Sequence, residues 1–114
     1  MQFEKPLNFR WVKEGKIARG SKPSRQGHCN WLHSKGFRAV VSLEDIPEHV
    51  KEFFRKNETL HLEAFLEEDE EPSAELVGKI REFLERSERE KRMLFIHCSA
   101  GATRTEKILR LLKL

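Results

Sequence analysis

Apolar residues along the chain alternate between two spacings, and the alternation lays out a fold. Residues 37–43, Phe-Arg-Ala-Val-Val-Ser-Leu, are β-branched and apolar, the texture of a central strand. Residues 59–66 and 93–96 repeat it, the second directly after the charged stretch 88–92. Between these runs the spacing becomes helical. Val50, Phe53 and Phe54 share one face of a segment over residues 47–56, while Leu76, Val77, Ile80, Phe83 and Leu84 form one stripe over residues 74–90. Pro47 occupies the first position of the former, where its missing N–H costs nothing, and Ser73 is placed to cap the latter. A helix is also predicted over residues 25–35, capped by Ser24 and stopped by Gly36. The last, from residue 103 to 114, carries Ile108, Leu111, Leu112 and Leu114 at helical spacings.

Residues 11–20 read as two short strands about Glu14-Gly15, a hairpin. From there strand and helix alternate. That order predicts an α/β fold: a central, mostly parallel twisted sheet with helices on both faces and right-handed crossovers. Ligands bind such sheets beyond the carboxyl ends of the strands. With no linker or repeat, residues 1–114 are expected to form a single domain.

Composition adds charge to this frame. Charged residues make up 36% of the chain, and the abundance of Glu, Lys and Arg with short loops resembles thermophile usage. The net charge of +3 is uneven. Lys5, Arg10, Lys13, Lys16, Arg19, Lys22 and Arg25 face only Glu4 and Glu14 near the front, whereas residues 67–71 are wholly acidic. A basic front can steer an anionic substrate or nucleic acid, but a solvated surface is the reading preferred for it. Two cysteines, Cys29 and Cys98, do not make a disulfide framework. No apolar run reaches membrane-spanning length and no signal peptide is evident, so a cytoplasmic chain without membrane contact is expected. Cys29 and His33 would share a helix face beside His28, but zinc needs about four ligands and no second cluster follows. Cys29 and Trp31 are therefore assigned to the core, and no metal or other cofactor is expected. His49 and His61 stand in no pattern of their own.

The chemistry concentrates in residues 93–105. An apolar strand leads through His97 and Cys98 into Ser99, Ala100, Gly101 and Ala102, then into a helix opened by Thr103, Arg104 and Thr105. Four small residues leave the backbone N–H groups free to turn inward, the geometry of an anion cradle at a helix N-terminus. A thiolate at Cys98 would be stabilised by those amides and by Arg104. Such surroundings bring a cysteine from about 8.5 down to roughly 3.5 to 7.5. The planar fork of Arg104 can also grip two phosphate oxygens at once.

His97-Cys98-Ser99-Ala100-Gly101-Ala102-Thr103-Arg104-Thr105 resembles the HCxxGxxR[ST] signature of cysteine-dependent protein tyrosine phosphatases, in particular the small dual-specificity branch of archaea and bacteria. Residues 18–24, a short strand leading through Pro23-Ser24 into a helix, resemble the same family's opening segment. The resemblance implies Cys98 as nucleophile and Arg104, with the amides of residues 99–103, as phosphate ligand. It implies Thr105 as helper in hydrolysing the phosphocysteine, and His97 as a supporting residue that orders the loop. The family's acid comes from an aspartate ahead of the long helix. Asp69 is the aspartate of residues 66–73, while the commoner spacing to Pro72 selects Glu68; Glu67 is a further alternative.

The activity implied is metal-independent hydrolysis of phosphotyrosine, extending to phosphoserine and phosphothreonine, on a phosphorylated protein partner. The alternatives are a phosphate-binding relative without turnover, an RNA 5′-phosphatase favoured by the basic front, and a rhodanese-like sulfur transferase, which His97 and Gly101 fit poorly. Two departures stand out. Glu106 and Lys107 follow the signature where relatives have glycine and small residues, and one helix follows the loop where relatives have more. A thinly covered sheet face, and a monomer or weak homodimer through the last helix, are the corresponding expectations.

Overall fold

The computed structural model describes residues 1–100 and 102–114. The predicted hairpin forms from β1 (Arg10–Lys13) and β2 (Ile17–Ser21), antiparallel with Trp11 opposite Ala18. Gly15 turns it with φ at +76°, a conformation side chains disfavour. There follow α1 (Gln26–Ser34), β3 (Phe37–Ser42), α2 (Glu48–Lys56), β4 (Leu60–Glu63), α3 (Ala74–Arg89), β5 (Met93–Cys98) and α4 (Thr103–Leu111). The strand order is β1-β2-β5-β3-β4, and every pair after the hairpin is parallel. The expected α/β architecture with a mostly parallel sheet is what forms.

Its centre is β5, inserted between β2 and β3. Leu94, Ile96 and Cys98 belong to one buried cluster with Ile80 of α3 and Ile108 and Leu109 of α4. Phe95 belongs to a second with Ala18, Cys29, Leu32, Val50 and Phe54, closed by α1 and α2. Each sheet face thus packs against two helices, so the thinly covered face that was expected does not form. Fully burying one such side chain is worth roughly 1.5 to 3 kcal/mol, so apolar clusters on both faces hold β5 firmly. Burial from both sides also explains its unbroken apolar run.

Several boundaries differ from expectation: Pro47 stands at the N-cap of α2 rather than in its first turn, and α4 ends at Leu111 rather than at residue 114. Ser24 does not cap α1: the helix starts at Gln26, and Nδ1 of His28 accepts from the backbone N–H groups of Ser24 (3.0 Å) and Arg25 (3.3 Å). A ring nitrogen in the first turn reaches back as the glutamate of a capping box does. β4 ends at Glu63 because the chain then crosses the end of β3, Ala64 donating to the Ser42 carbonyl and Leu66 to that of Leu43, both at 2.9 Å. β5 runs two residues further than its apolar stretch, so Cys98 is still paired, opposite Ser21. Ser73 does cap α3, its Oγ accepting from Leu76 N at 3.1 Å.

Candidate active site

The loop between β5 and α4 is held from outside by its carbonyls. Ser99 O accepts from Lys22 N at 3.2 Å. Ala100 O accepts from Asn8 Nδ2 at 2.8 Å and from Ser21 Oγ at 2.9 Å. Ala102 O accepts from Arg19 Nη2 at 3.2 Å and from Glu106 N at 2.8 Å. Across a planar trans peptide the C=O and the following N–H point opposite ways. With the Ser99 and Ala102 carbonyls held by Lys22 N and Arg19, the amides of Ala100 and Thr103 are directed the opposite way, the orientation that the small side chains led one to expect. Cys98 lies at the start of the loop, buried to 2% exposure. Gly101, named as a phosphate-binding position, lies outside the described residues.

Arg104 is buried in the first turn of α4. Its Nη1 donates to the carbonyl of Leu66 at 3.1 Å and its Nη2 to Oε1 of Glu44 at 3.3 Å. A guanidinium has five N–H groups, so these two anchors fix the plane of the fork and leave donors for a phosphate. Glu44 follows β3 and also pairs with Lys22 Nζ at 3.4 Å. Burial pushes the Glu44 carboxyl up, but Arg104 and Lys22 together outweigh it and hold the group below its ordinary value. Glu44 is thus an anion in the working range, and Arg104 is oriented by charge.

His97 is fully buried in front of Cys98. Its Nε2 lies 2.7 Å from Ser42 Oγ, and its Nδ1 3.2 Å from the carbonyl of Cys98. Burial above all lowers its pKa to about 3, so the ring is neutral and cannot serve as a cation beside the thiol. Thr105 is also fully buried, and its Oγ1 has no hydrogen-bond partner among the described residues.

The acidic segment is fastened to α4 at both ends. Arg104 holds Leu66 before it, and Lys107 Nζ pairs with Glu71 Oε1 at 3.5 Å after it. Within it Glu70 N donates to Glu67 O at 3.1 Å and Glu67 N to Glu70 Oε1 at 3.0 Å, closing a turn. Glu68 and Asp69 occupy the exposed apex of that turn. The structure places His97 and Cys98 at the end of β5 and Arg104 and Thr105 in the first turn of α4, all four buried, and it ties the segment bearing Asp69, Glu68 and Glu67 to the same helix. It also gives Glu106 and Lys107, the residues that follow the signature, partners of their own. Lys107 holds Glu71, and Glu106 pairs with Arg19, the residue that supports Ala102 O.

The sequence and the fold have counterparts among known proteins. A family model described as the Swiss Army Knife protein DSP-PTPase phosphatase domain, PTP-SAK, matches residues 6–112. The chain belongs to this family. Solved structures share the fold of this DSP-PTPase domain. The core catalytic domain of the PP-IP phosphatase Siw14 from S. cerevisiae, in complex with citrate, superposes with a TM-score of 0.81 at 22% identity, covering 98% of this chain and 68% of that one. TpbA of P. aeruginosa, solved as a cysteine-to-serine variant with pTyr, gives 0.73 at 20% identity, covering 98% and 66%. The PTP-2 phosphatase of Cydia pomonella gives 0.69 at 17% identity, covering 95% and 73%. No curated protein sequence matches the chain.

Sequence reasoning about this DSP-PTPase domain missed the residues that support the loop: Asn8, Arg19, Ser21, Ser42 and Glu44. Two of them left a trace. Ser42 is a polar residue directly after the apolar run 39–41, which demands a buried partner, and Glu44 is a charge just past the carboxyl end of that strand. Cys29 is in the core as assigned, and burial pushes its thiol up to about 11. Among the described residues, no helix is long and apolar enough to cross a membrane.

Proposed function

We propose that residues 1–114 act as one domain that hydrolyses phosphate monoesters through a phosphocysteine at Cys98, with phosphotyrosine in a protein as the substrate. The observation that carries the reading is the loop whose carbonyls are held outward beside an arginine already oriented by Glu44 and Leu66. In the first step Cys98 Sγ attacks phosphorus and the P–O bond to the phenol breaks, while Asp69, or Glu68 or Glu67 in its place, gives the leaving oxygen a proton. Amides of residues 99–103 and the Arg104 fork take the charge of the phosphoryl oxygens. Water then attacks the same phosphorus, its proton passes to the carboxylate, and the P–S bond breaks to return the thiolate. No step calls on a metal. Turnover of an aryl phosphate in excess chelator, lost in Cys98→Ser, is the test; no turnover with retained phosphopeptide binding would leave the binding-module alternative.

A second reading is favoured by one observation. A cavity of about 580 Å³ adjoins the loop at Ser99 and Ala100, with Lys5, Lys22 and Arg25 on its walls. It suits a second phosphate of a polyphosphorylated small molecule, the substrate class that the Siw14 description suggests. Against it, Lys22 and Arg25 already pair with Glu44 and Glu4, and five acidic residues stand at the other side of the loop. A dense polyanion meets more repulsion from them than the single phosphate of a phosphotyrosine side chain does. Comparing kcat/KM for a phosphotyrosine peptide and an inositol pyrophosphate separates the two. The same assay with 5′-triphosphorylated RNA tests the nucleic-acid alternative.

A further inference from the structure

Three neighbouring strands place polar side chains in one row across the sheet: His97 on β5, Ser42 on β3 and His61 on β4. Ser42 Oγ lies 2.7 Å from Nε2 of His97 and 2.7 Å from Nε2 of His61. Counting protons fixes the direction of every bond. The Cys98 carbonyl can only accept, so Nδ1 of His97 carries a hydrogen. A second hydrogen on Nε2 would make a buried imidazolium, and with a pKa of about 3 only on the order of one ring in 10⁴ is charged at pH 7. Nε2 of His97 is therefore bare and takes the Ser42 hydroxyl proton. A hydroxyl has one proton, so the Ser42 oxygen must accept from His61, whose Nε2 carries the hydrogen.

We infer that His61 is a positioning residue for Cys98: by donating to Ser42 it forces the Ser42 hydroxyl towards His97, which holds the Cys98 carbonyl and so aims the Ser99 N–H into the cradle. The inference rests on the reading of Cys98 as the nucleophile. The last link follows from the peptide plane, in which the Cys98 C=O and Ser99 N–H move as one body. The direction of the row does not depend on the charge of His61, because the neutral Nε2–H ring and the imidazolium both donate. Phe54 packs its ring edge-on to His61, with Glu63, Lys51 and Asp45 as the surrounding charges. Burial outweighs them and lowers the His61 pKa, so the neutral Nε2–H tautomer is the working form. All three side chains are held by the ladder itself: Ser42 is in register with His97, and Val40, two residues before it on the same face, with His61. The chain of bonds is therefore built into the strand order.

Two variants distinguish positioning from simple packing. His61→Leu keeps bulk but removes the donor, whereas His61→Gln presents an N–H at a similar reach. The expected result is a fall in kcat of about tenfold for His61→Leu, the size of one lost hydrogen bond, with KM unchanged. The pH midpoint for alkylation of Cys98 by iodoacetamide should rise in the same variant, and His61→Gln should restore both. Nitrogen-15 spectra of the wild type should show His61 protonated at Nε2 and His97 at Nδ1. An unchanged rate and midpoint in His61→Leu, equal losses in both variants, or a His61 ring protonated at Nδ1 alone would each overturn the inference. A wild type inactive on aryl phosphates would instead sink the proposed function, while the spectra still decide the row of bonds.

Discussion

Arg104 and Glu44, sixty positions apart, meet at 3.3 Å across the ends of β3 and α4, and the contact orients the guanidinium before any substrate arrives. Arg104→Lys keeps the charge and loses the planar fork, so it cannot hold the Leu66 carbonyl, Glu44 and two phosphate oxygens together. The expected loss in kcat/KM is about 10²-fold or more, the scale of a removed transition-state donor. Glu44→Gln keeps an acceptor and should cost about tenfold or less. Steady-state kinetics on an aryl phosphate decide both, and a mild Arg104→Lys would mean that Arg104 does not touch phosphate.

Cys98→Ser should abolish turnover while keeping phosphate affinity. A serine hydroxyl fits the same cradle but is not ionised at neutral pH. Residual activity above about a hundredth of wild type would argue against a covalent cysteine mechanism. Titration with inorganic phosphate checks the affinity.

Thr105 keeps a fully buried hydroxyl with no partner among the described residues, a condition that costs about 1 to 3 kcal/mol. If that hydroxyl serves the phosphocysteine step, Thr105→Ala should raise Tm or leave it unchanged while slowing hydrolysis of the intermediate. Stopped-flow release of the phenol would then show a larger burst followed by a slower steady state. A variant with lower Tm and an unchanged burst contradicts the assignment.

Asp69→Asn should lower the rate about 10² to 10⁴-fold for a substrate with a basic leaving group and much less for one that departs readily as an anion. It should also remove the alkaline fall of the pH–rate profile, the limb that reports loss of the acid's proton. Glu68 shares the apex of the turn with Asp69, and Glu67 begins it. Glu68→Gln and Glu67→Gln are thus the direct controls. Should Glu68→Gln carry the leaving-group dependence while Asp69→Asn stays near wild type, the acid is Glu68.

Cys29 supplies a pH dependence of stability. Its folded pKa of about 11 lies above the ordinary value of 9.0, so the folded state holds the proton more tightly than the unfolded one. The contribution is fully present below pH 9, and it is lost as pH rises through about 11. Denaturant titrations should show a smaller alkaline loss for Cys29→Ala than for wild type. Near neutral pH, alkylation of the folded protein should reach Cys98 before Cys29; the reverse order would contradict both assignments.

Much of this protein was legible from local pattern. The strand-like run before His97, the stripe from Leu76 to Leu84, the Ser73 cap and the small residues after Cys98 each declare themselves within a dozen positions. Helix spacing, capping and loop chemistry act over that range, so the element order, the mostly parallel sheet and the identity of the candidate loop could be read directly. The acid stayed open, because five consecutive carboxylates offer no local distinction, and only the turn closed by Glu67 and Glu70 puts Glu68 and Asp69 at its apex. What tertiary structure alone decided is which side chains hold the loop. Asn8, Arg19 and Ser21 reach it from about eighty to ninety positions away, and Ser42 stands between two histidines on different strands. Those meetings follow from β5 lying between β2 and β3, and strand order is set by burying both faces of the central strand at once, a condition on the whole chain that no short stretch of it records.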